Sequence, residues 1–312
     1  MSAGEIAWKS LKELHLGLSG DAVLDALRPF AVMEPVEVRY AKEMTVRKKR
    51  LLKRISRRTL SGWTHIGGRT LEKVRDEYDK AWSAGLARYD IAAGPQSFTP
   101  WTYRGRKILV DAAGSARFRS HLLGAVIEEF KPKTVLEAGC GDGINLALLA
   151  GAFPEVSFSG LELTETGHHT SLTLQREPAL PTYLAAYAPL PQKDTQAFKR
   201  IAFVQGDATR MPFGANEFDL VFTVLAIEQM ERVRHSALAE IARVTKSYLL
   251  NLEPFRDVNT SFWRRLNVAS RDYFRGSVEE MRSYGLDPLW ATDDFPQEVF
   301  LGSALVLSKK RA

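Results

Sequence analysis

The sequence predicts an α/β fold built on a doubly wound, mostly parallel sheet of seven strands, preceded by a helical extension. Residues 134–136 form a short apolar run typical of a buried parallel strand, and a glycine-rich turn and the helical pattern of Leu146 and Leu148 follow it. Beyond this unit the chain alternates between strand-like and helix-like segments, which is the pattern of a parallel sheet with helices on both faces. Residues 1–97 differ in composition, so we expect an N-terminal helical extension there and the α/β domain over residues 98–312.

The composition is that of an ordinary soluble globular protein of 312 residues, with 45% hydrophobic and 26% charged residues. Cys140 is the only cysteine, which excludes an intrachain disulfide, and its place inside the glycine turn indicates packing. Residues 1–14 are polar and predict no signal peptide, and no apolar run approaches the ~20 residues of a membrane span. We therefore expect a cytoplasmic protein.

The net charge of +6 is concentrated in one segment. Residues 39–58 contain ten Lys and Arg against Glu43 alone, while Met44, Leu51 and Leu52 follow a helical period. Three interpretations stay open: a docked helix with a solvated basic face, an RNA-binding face, or a contact with an anionic membrane. The segment lacks interleaved aromatic residues that stack on bases, which weakens the RNA interpretation.

The apolar period predicts the remaining elements in chain order. Helices are expected over 71–86, 115–130, 166–176, 232–244 and 278–284, and strands over 134–136, 156–163, 201–204, 218–225, 248–252, 289–293 and 299–308. Charge pairs on the helix expected over 71–86 indicate a surface position. Residues 94–106 are expected to form an aromatic connector. Residues 177–199, with four prolines, are expected to be an insert that serves either as a lid or acceptor wall, or as a subunit contact.

The glycine turn is the first candidate ligand site. Gly139, Gly141 and Gly143 fall at every second position, whereas a dinucleotide fingerprint has the spacing G-x-G-x-x-G. Glu137 lies two residues before the first glycine, and a carboxylate suits a cationic ligand better than a phosphate. The alternative is a strand-to-helix turn that binds nothing.

At these residues the chain resembles the class I methyltransferases that use S-adenosylmethionine (SAM). Glu162, 19 residues after Gly143, resembles the family's ribose-binding acid, and Asp207-Ala208 resembles its adenine-recognition turn. The run from Met211 to Phe213 resembles the branch that acts mostly on small molecules. The resemblance covers about residues 98–312 and implies a Rossmann-like SAM methyltransferase fold with S-adenosylhomocysteine as product.

The resemblance also implies which residues form the site. The implied cofactor-binding residues are Glu137, Gly139, Cys140, Gly141, Gly143, Glu162, Leu163, Asp207, Ala208 and Thr223. The expected substrate pocket contains Tyr103, Tyr183, Tyr187 and Glu228.

Candidate general bases are Glu253, at the end of a strand, and His168 and His169, near the start of a helix. Many relatives carry a Glu-His pair where this chain has Glu228-Gln229, so a base at that position is doubtful. Two adjacent histidines do not point the same way on a helix, and we expect no metal site. Transfer from an activated methyl group needs a base only when the acceptor must lose a proton.

The sequence thus favours a SAM-dependent methyltransferase acting on O or N of a small or medium organic acceptor. A second hypothesis is an RNA, peptide or protein methyltransferase that holds its substrate with residues 39–58. A third is a catalytically inactive SAM-fold binding module tethered by the basic helix. Homo-oligomerisation is left open.

Overall fold

The computed structural model describes residues 5–311 except 35, 61–70, 84 and 96. Its strands are β1 (Ala31–Val32), β2 (Thr99–Tyr103), β3 (Arg106–Val110), β4 (Thr134–Ala138), β5 (Ser157–Glu162), β6 (Ala202–Gln205), β7 (Phe218–Val224), β8 (Thr245–Glu253), β9 (Leu286–Thr292), β10 (Gln297–Glu298) and β11 (Ala304–Lys310). Its α-helices are α1 (Gly20–Leu27), α2 (Glu37–Leu60), α3 (Leu71–Trp82), α4 (Ala112–Phe130), α5 (Ile144–Ala152), α6 (Glu165–Gln175), α7 (Thr182–Tyr187), α8 (Arg234–Val244) and α9 (Phe262–Arg271).

The large sheet has seven strands in the order β6-β5-β4-β7-β8-β11-β9. The pairs β4–β5, β5–β6, β4–β7 and β7–β8 are parallel, and β11 runs antiparallel to β8 and β9. The strand order reverses between β4 and β7, and ligands of such sheets bind at this reversal, outside the carboxyl ends of the strands. The predicted fold class is confirmed.

The central strands are apolar on both faces because helices cover both faces. Val135 and Leu136 of β4 and Val221 and Phe222 of β7 are fully buried. The helix after the glycine turn, α5, is buried along almost its whole length, so it packs as a core helix at the carboxyl edge of β4. This packing holds the turn between β4 and α5 in place.

A second, four-stranded sheet was missed by the sequence analysis. Its order is β1-β3-β2-β10, and the hairpin β2–β3 occupies much of the expected connector 94–106. Arg104 (φ 46°) and Gly105 (φ 79°) both have positive φ, as the two central residues of a type I′ turn require. The arginine in the first turn position obscured this signal, because Asn or Asp is the usual residue there.

Two C-terminal predictions need correction. The strand expected over 299–308 begins at Ala304, because Gln297–Glu298 leaves the large sheet to pair with β2. The helix expected over 278–284 is a 3-10 helix, Glu279–Tyr284, which ends at Gly285 in the left-handed region.

The N-terminal segment shares one core with the rest of the chain. Val23 and Leu27 of α1 belong to the same buried cluster as Phe118 and Leu122 of α4. Further upstream, the backbone N–H of Lys9 donates to the carbonyl of Ala291, within β9. A boundary at residue 97 between extension and domain therefore stays a prediction from composition.

Helix α2 is docked on one side and basic on the other. Tyr40 and Leu51 are buried against the protein, and Arg54 donates to Asn267 Oδ1 and Ser270 Oγ of α9. Lys49 and Lys53 are exposed. Among the described residues, no helix is both long and apolar enough to cross a membrane.

Candidate functional site

A cavity of ≈ 500 Å³ opens at the carboxyl ends of β4, β5 and β7, where the strand order reverses. Its lining comes from the glycine turn, the segments that follow β5, β6 and β7, helix α4, and helix α3 and Tyr89 of the N-terminal segment. Glu137, Glu162 and Asp207, the three acids singled out by the sequence, all line this one cavity. Gly139, Cys140, Gly141, Leu163, Ala208 and Glu228 line it as well.

The glycine turn is held by the neighbouring strand and covered by a tryptophan. The N–H groups of Gly139 and Cys140 donate to the Leu161 carbonyl at 2.8 and 3.0 Å. Gly141 has φ +57°, and a Cβ placed on it would lie 2.5 Å from Trp82 Cζ2. A larger residue at this position would therefore both strain the backbone and displace Trp82.

Glu137 brings an incompletely partnered carboxyl group to the cavity. The residue is 1% exposed, and its Oε1 accepts a hydrogen bond of 2.8 Å from Asn145 Nδ2. Its Oε2 has no hydrogen-bond partner among the described residues. Burial raises the pKa of Glu137 well above its usual value, and the nearby Asp142 and Glu162 act in the same direction. A cationic or hydrogen-bond-donating ligand would satisfy this oxygen.

Glu162 connects the end of β5 to the glycine turn. Its Oε2 accepts from the Gly141 N–H at 2.9 Å, and its Oε1 accepts from the N–H and the hydroxyl of Thr164, the N-cap of α6. A carboxylate has about four lone-pair positions, so capacity remains for ligand hydroxyl groups. These bonds fix the orientation of the carboxylate before a ligand arrives.

Asp207 and Ala208 lie on the neighbouring wall, after β6. Asp207 Oδ1 accepts from the Thr209 N–H at 2.8 Å, which orients the carboxylate at the cavity. Leu163 and Leu225 supply apolar surface to the same cavity. Leu225 has φ 52°, a strained backbone conformation for a branched residue and one that clusters at functional sites.

Helix α3 covers the cavity, contrary to the surface position expected from its charge pairs. Val74, Tyr78 and Trp82, spaced four residues apart, all line it, and Trp82 Nε1 is buried with no hydrogen-bond partner among the described residues. The apolar spacing i, i+4, i+8 was the signal that could have identified this face.

A second contact joins the N-terminal segment to the glycine turn. Asp142, between Gly141 and Gly143, accepts from Arg88 and, at 3.1 Å, from the Tyr89 hydroxyl. The Arg88 guanidinium also lies 4.8 Å from the centre of the Trp82 ring. The sequence does not predict this contact, because no local pattern joins positions more than 50 residues apart.

Arg119 of α4 and Glu228 also line the cavity, and neither takes part in the hydrogen bonds that hold the glycine turn. Glu228 is 5% exposed, and its Oε1 accepts from Gln229 Nε2, whereas its Oε2 lacks a partner among the described residues. Arg119 Nε likewise lacks a partner there. Burial raises the pKa of Glu228 to about 8, and the neighbouring Glu253 adds to the effect.

Five predicted site residues lie outside the cavity lining. Gly143 packs against Phe203 and Ser171, and Thr223 is buried beneath the sheet edge, where it accepts from Asn251 Nδ2. The remaining three are tyrosines of the expected substrate pocket: Tyr103, Tyr183 and Tyr187. Tyr187 is fully buried and its hydroxyl donates to the Ala113 carbonyl at 2.7 Å, so this part of the insert 177–199 is structural.

The three candidate bases are also placed away from the lining. Glu253 is fully buried, and its carboxylate accepts from the N–H groups of residues 226–228, which anchors the segment after β7. His168 lies 3.4 Å from the Phe203 carbonyl through Nε2, and His169 is exposed. Among the described residues no group of three or more acidic, His or Cys side chains could hold a metal ion.

The lining residues fit an organic cation that carries polar groups at several points. Acids dominate the part near the glycine turn, and one carboxylate oxygen there is unpartnered. The glycines at 139 and 141 let the turn approach Ala226 and Trp82 of the same lining, and apolar side chains from α3 and from the ends of β5 and β7 provide slots for flat or aliphatic groups. S-adenosylmethionine, with its sulfonium, ribose and adenine, has this chemistry.

Comparisons with known proteins support the same interpretation. Residues 136–248 match the family model described as a methyltransferase domain, whereas no curated protein sequence matches the chain. Among solved structures, the chain is similar to the [4+2]-cyclase SpnF with 18% identity and a TM-score of 0.53, over 78% of this chain and 97% of that one.

Two further structures align less closely. A SAM-dependent methyltransferase from Aquifex aeolicus has 14% identity and a TM-score of 0.42, over 60% of this chain and 88% of that one. Geranyl diphosphate C-methyltransferase from Streptomyces coelicolor A3(2) has 11% identity and a TM-score of 0.49, over 76% of this chain and 98% of that one. At such identities the structural likeness shows the fold alone, and the fold does not by itself fix a reaction.

The fold leaves the reaction undetermined, whereas the family model indicates methyl transfer. Its match spans the glycine turn, both acidic strand ends and Glu228. Residues 136–248 therefore form a methyltransferase domain, and S-adenosylmethionine is the cofactor that fits its cavity.

Proposed function

We propose that the enzyme transfers the methyl group of SAM to an oxygen or nitrogen atom of a small or medium organic acceptor. One observation carries the proposal: helix α3 lies over the cavity with Val74, Tyr78 and Trp82 against it. Covered cavities with apolar walls and a few convergent polar groups are typical of small-molecule sites. A macromolecular acceptor would need α3 to move away.

Within this site, we assign the cofactor's methionine end to Gly139, Gly141 and Glu137, its ribose to Glu162 and its adenine to Asp207. Cys140, Leu163 and Ala208 complete the contact surface. SAM supplies an electrophilic methyl group that needs no further activation. The support for the assignment is that all of these residues line one cavity, with the acidic groups already oriented by protein hydrogen bonds.

The protein's contribution to rate is then mainly the positioning of the acceptor beside the methyl group. Holding two reactants at near-attack geometry contributes up to ~7–11 kcal/mol in favourable cases, and general-base catalysis adds about 10²–10⁴-fold. Glu228 lines the cavity and has no role in this cofactor assignment, so we assign it to the part of the cavity that receives the acceptor. Glu253, His168 and His169 lie outside the lining and are not assigned to the reaction.

The test begins with calorimetric titration of SAM and S-adenosylhomocysteine into the intact chain and into Asp207→Ala. The proposal predicts saturable binding of both, weakened by the substitution. Incubation with SAM and fractionated small-molecule extract should then give a product that has gained one methyl group, identified by mass spectrometry. Methylation of RNA or protein only, in parallel incubations, would contradict the small-molecule acceptor.

The second candidate is a methyltransferase for RNA, peptide or protein, and the exposed face of α2 favours it. Lys42, Lys49 and Lys53 are all exposed on this helix. Binding of a polyanion by such a face falls steeply with salt. The triple variant with all three lysines changed to glutamate should lose RNA binding if this candidate is right, and should methylate small acceptors normally if the first one is.

A further inference from the structure

We propose that Arg119 and Glu228 form the acceptor-recognition subsite, and that the acceptor is a small organic acid. Its anionic group would pair with Arg119, and its O–H or N–H group would donate to Glu228. The proposal rests on the proposed small-molecule methyltransferase function and narrows its substrate class.

The first line of evidence is the surroundings of Arg119. This side chain lies between the main cavity and a smaller one of ≈ 20 Å³ that is lined by aromatic residues including Trp101, Phe118 and Phe295. Its guanidinium lies 5.8 Å from the centre of the Phe118 ring, and its Nε has no hydrogen-bond partner among the described residues. A buried guanidinium keeps its charge, so an unmet donor in this apolar place is costly unless a ligand satisfies it.

The second line is that Glu228 presents its own unmet group to the same cavity. Gln229 Nε2 occupies Oε1, and Oε2 remains without a partner among the described residues. Arg119 and Glu228 feel each other's charge, yet they do not form a direct ion pair. The two groups therefore leave a gap that a ligand with an anion and an adjacent donor would bridge.

Glu298 is the competing counter-ion for Arg119. It lines the smaller cavity, whereas Glu228 lines the main one. Arg47, Arg264 and Arg271 also act on its charge, so Glu298 is shared among four arginines. Glu228 and Glu253 act on Arg119 as well, and an anionic ligand in the main cavity would give the Arg119 Nε an acceptor.

The remaining lining of the cavity limits the shape of the acid. Leu225 belongs to the walls of both cavities beside Arg119, and Met230 and Val233 follow Glu228 along the main cavity. Apolar walls on either side of two charged groups suit a compact carbon skeleton, such as an aromatic ring.

The experiment measures binding of three ring probes to the protein saturated with S-adenosylhomocysteine. 3-Hydroxybenzoate carries both recognised groups, benzoate lacks the hydroxyl, and 3-hydroxybenzamide lacks the charge. Isothermal titration should rank 3-hydroxybenzoate first, with at least a tenfold preference over the amide. The preference should disappear in Arg119→Met, which keeps an unbranched stem, and return in part in Arg119→Lys.

The matched control is Arg232, another cation of the cavity lining, which is paired with Asp272 at 4.0 Å. Arg232→Met should retain the preference for the anion. Glu228→Ala should retain it too, but should lose the advantage of 3-hydroxybenzoate over benzoate, because alanine offers no acceptor to the hydroxyl. Each variant is first checked for binding of S-adenosylhomocysteine and for its melting temperature, so that a folding defect in Arg119→Met is recognised and Arg119→Lys carries the comparison.

Equal binding of acid and amide by the wild type, retention of the preference in folded Arg119 variants, or no binding of any probe at millimolar concentration would overturn the proposal. Failure of S-adenosylhomocysteine itself to bind would instead overturn the proposed function. The two failures are therefore distinguishable in one set of titrations.

Discussion

The proposed cofactor half and the proposed acceptor half of the cavity are built in different ways. In the cofactor half, Glu162 and Asp207 are each fixed by backbone N–H donors, and the glycine turn is bonded to the neighbouring strand. In the acceptor half, Arg119 and Glu228 each keep a polar atom without a partner among the described residues. Among the described residues, the proposed cofactor half is thus largely fixed before a ligand binds, with Glu137 Oε2 and Trp82 Nε1 as its unpartnered atoms, whereas both polar side chains of the proposed acceptor half still lack a partner.

This difference indicates where specificity resides. Preorganised donors and acceptors bind the same ligand well in any member of such a family, because the geometry is determined by the strands. Buried unpaired groups discriminate strongly between ligands, because a ligand that fails to satisfy them leaves a desolvated charge behind. Variants in the two halves should therefore affect different measurements.

The largest effect is expected for Glu162→Ala, in the cofactor half. The substitution removes the acceptor of the Gly141 and Thr164 donors as well as the proposed ribose ligand. With about 1.5–3 kcal/mol for each hydrogen bond to a charged group, SAM affinity should fall roughly 100-fold. Calorimetric titration measures it, and Glu155→Ala, an exposed acid, is the control. An unchanged affinity for SAM would contradict the ribose assignment.

Trp82→Ala should have a smaller effect, at the cover of the same half. The indole lies against Gly141, and the Arg88 guanidinium lies over its ring. Because Trp82 is only partly buried, we expect a loss of about 1–2 kcal/mol, or roughly tenfold in affinity, expressed mainly as faster dissociation of SAM. Displacement kinetics should show this change, whereas Lys80→Ala, an exposed position on the same helix, should leave the rate unaltered.

More of the residues predicted for the cofactor than of those predicted for the acceptor line the cavity, and the reason is physical. Glycines at a strand-to-helix turn and acids at strand ends are local signals, and the parallel sheet brings them to one edge without further information. Arg119 and Trp82 reach the cavity through packing between helices distant in sequence. Tyr187 has the aromatic character expected of a pocket residue, but its hydroxyl binds the Ala113 carbonyl inside the core.

The hairpin β2–β3 and the position of α3 over the cavity are two further features that the local sequence did not predict. The turn at Arg104-Gly105 has an unusual first residue, so the local sequence did not predict a hairpin there. In α3, the apolar stripe of Val74, Tyr78 and Trp82 indicates a buried face, whereas the charge pairs of the same helix indicate a surface position. The acidic and glycine positions were therefore predictable, and the cover over them was not.

In the acceptor half, Glu228→Gln should change how stability depends on pH. The buried carboxyl has a pKa of about 8, raised by burial and by Glu253 against the opposing charges of Arg119 and Arg271. The native state therefore holds a proton that the unfolded state releases at about pH 4.3, and stability falls as the pH rises between these two values.

Glutamine cannot ionise, so the variant should gain stability relative to the wild type as the pH rises from 5 to 8. The gain should exceed about 1 kcal/mol at pH 8, because one unit of pKa shift corresponds to 1.36 kcal/mol. Thermal unfolding across this pH range provides the measurement, with Glu155→Gln as the exposed control. Parallel curves for Glu228→Gln and the wild type would show that Glu228 ionises normally.

The smallest expected signal is a fraction of a proton released when SAM binds in the cofactor half. Burial raises the pKa of Glu137 in the free protein well above its usual value. A cation placed beside Oε2 stabilises the charged carboxylate and lowers its pKa, so binding should release a proton. Titrations in buffers of different ionisation enthalpy measure this release. It should decrease in Glu137→Gln, which preserves the acceptor for Asn145 Nδ2, and should persist in Glu165→Gln, an exposed acid of α6. If Glu137→Gln and the wild type release the same amount, Glu137 does not face the bound cation, and the methionine end of SAM must lie elsewhere in the cavity.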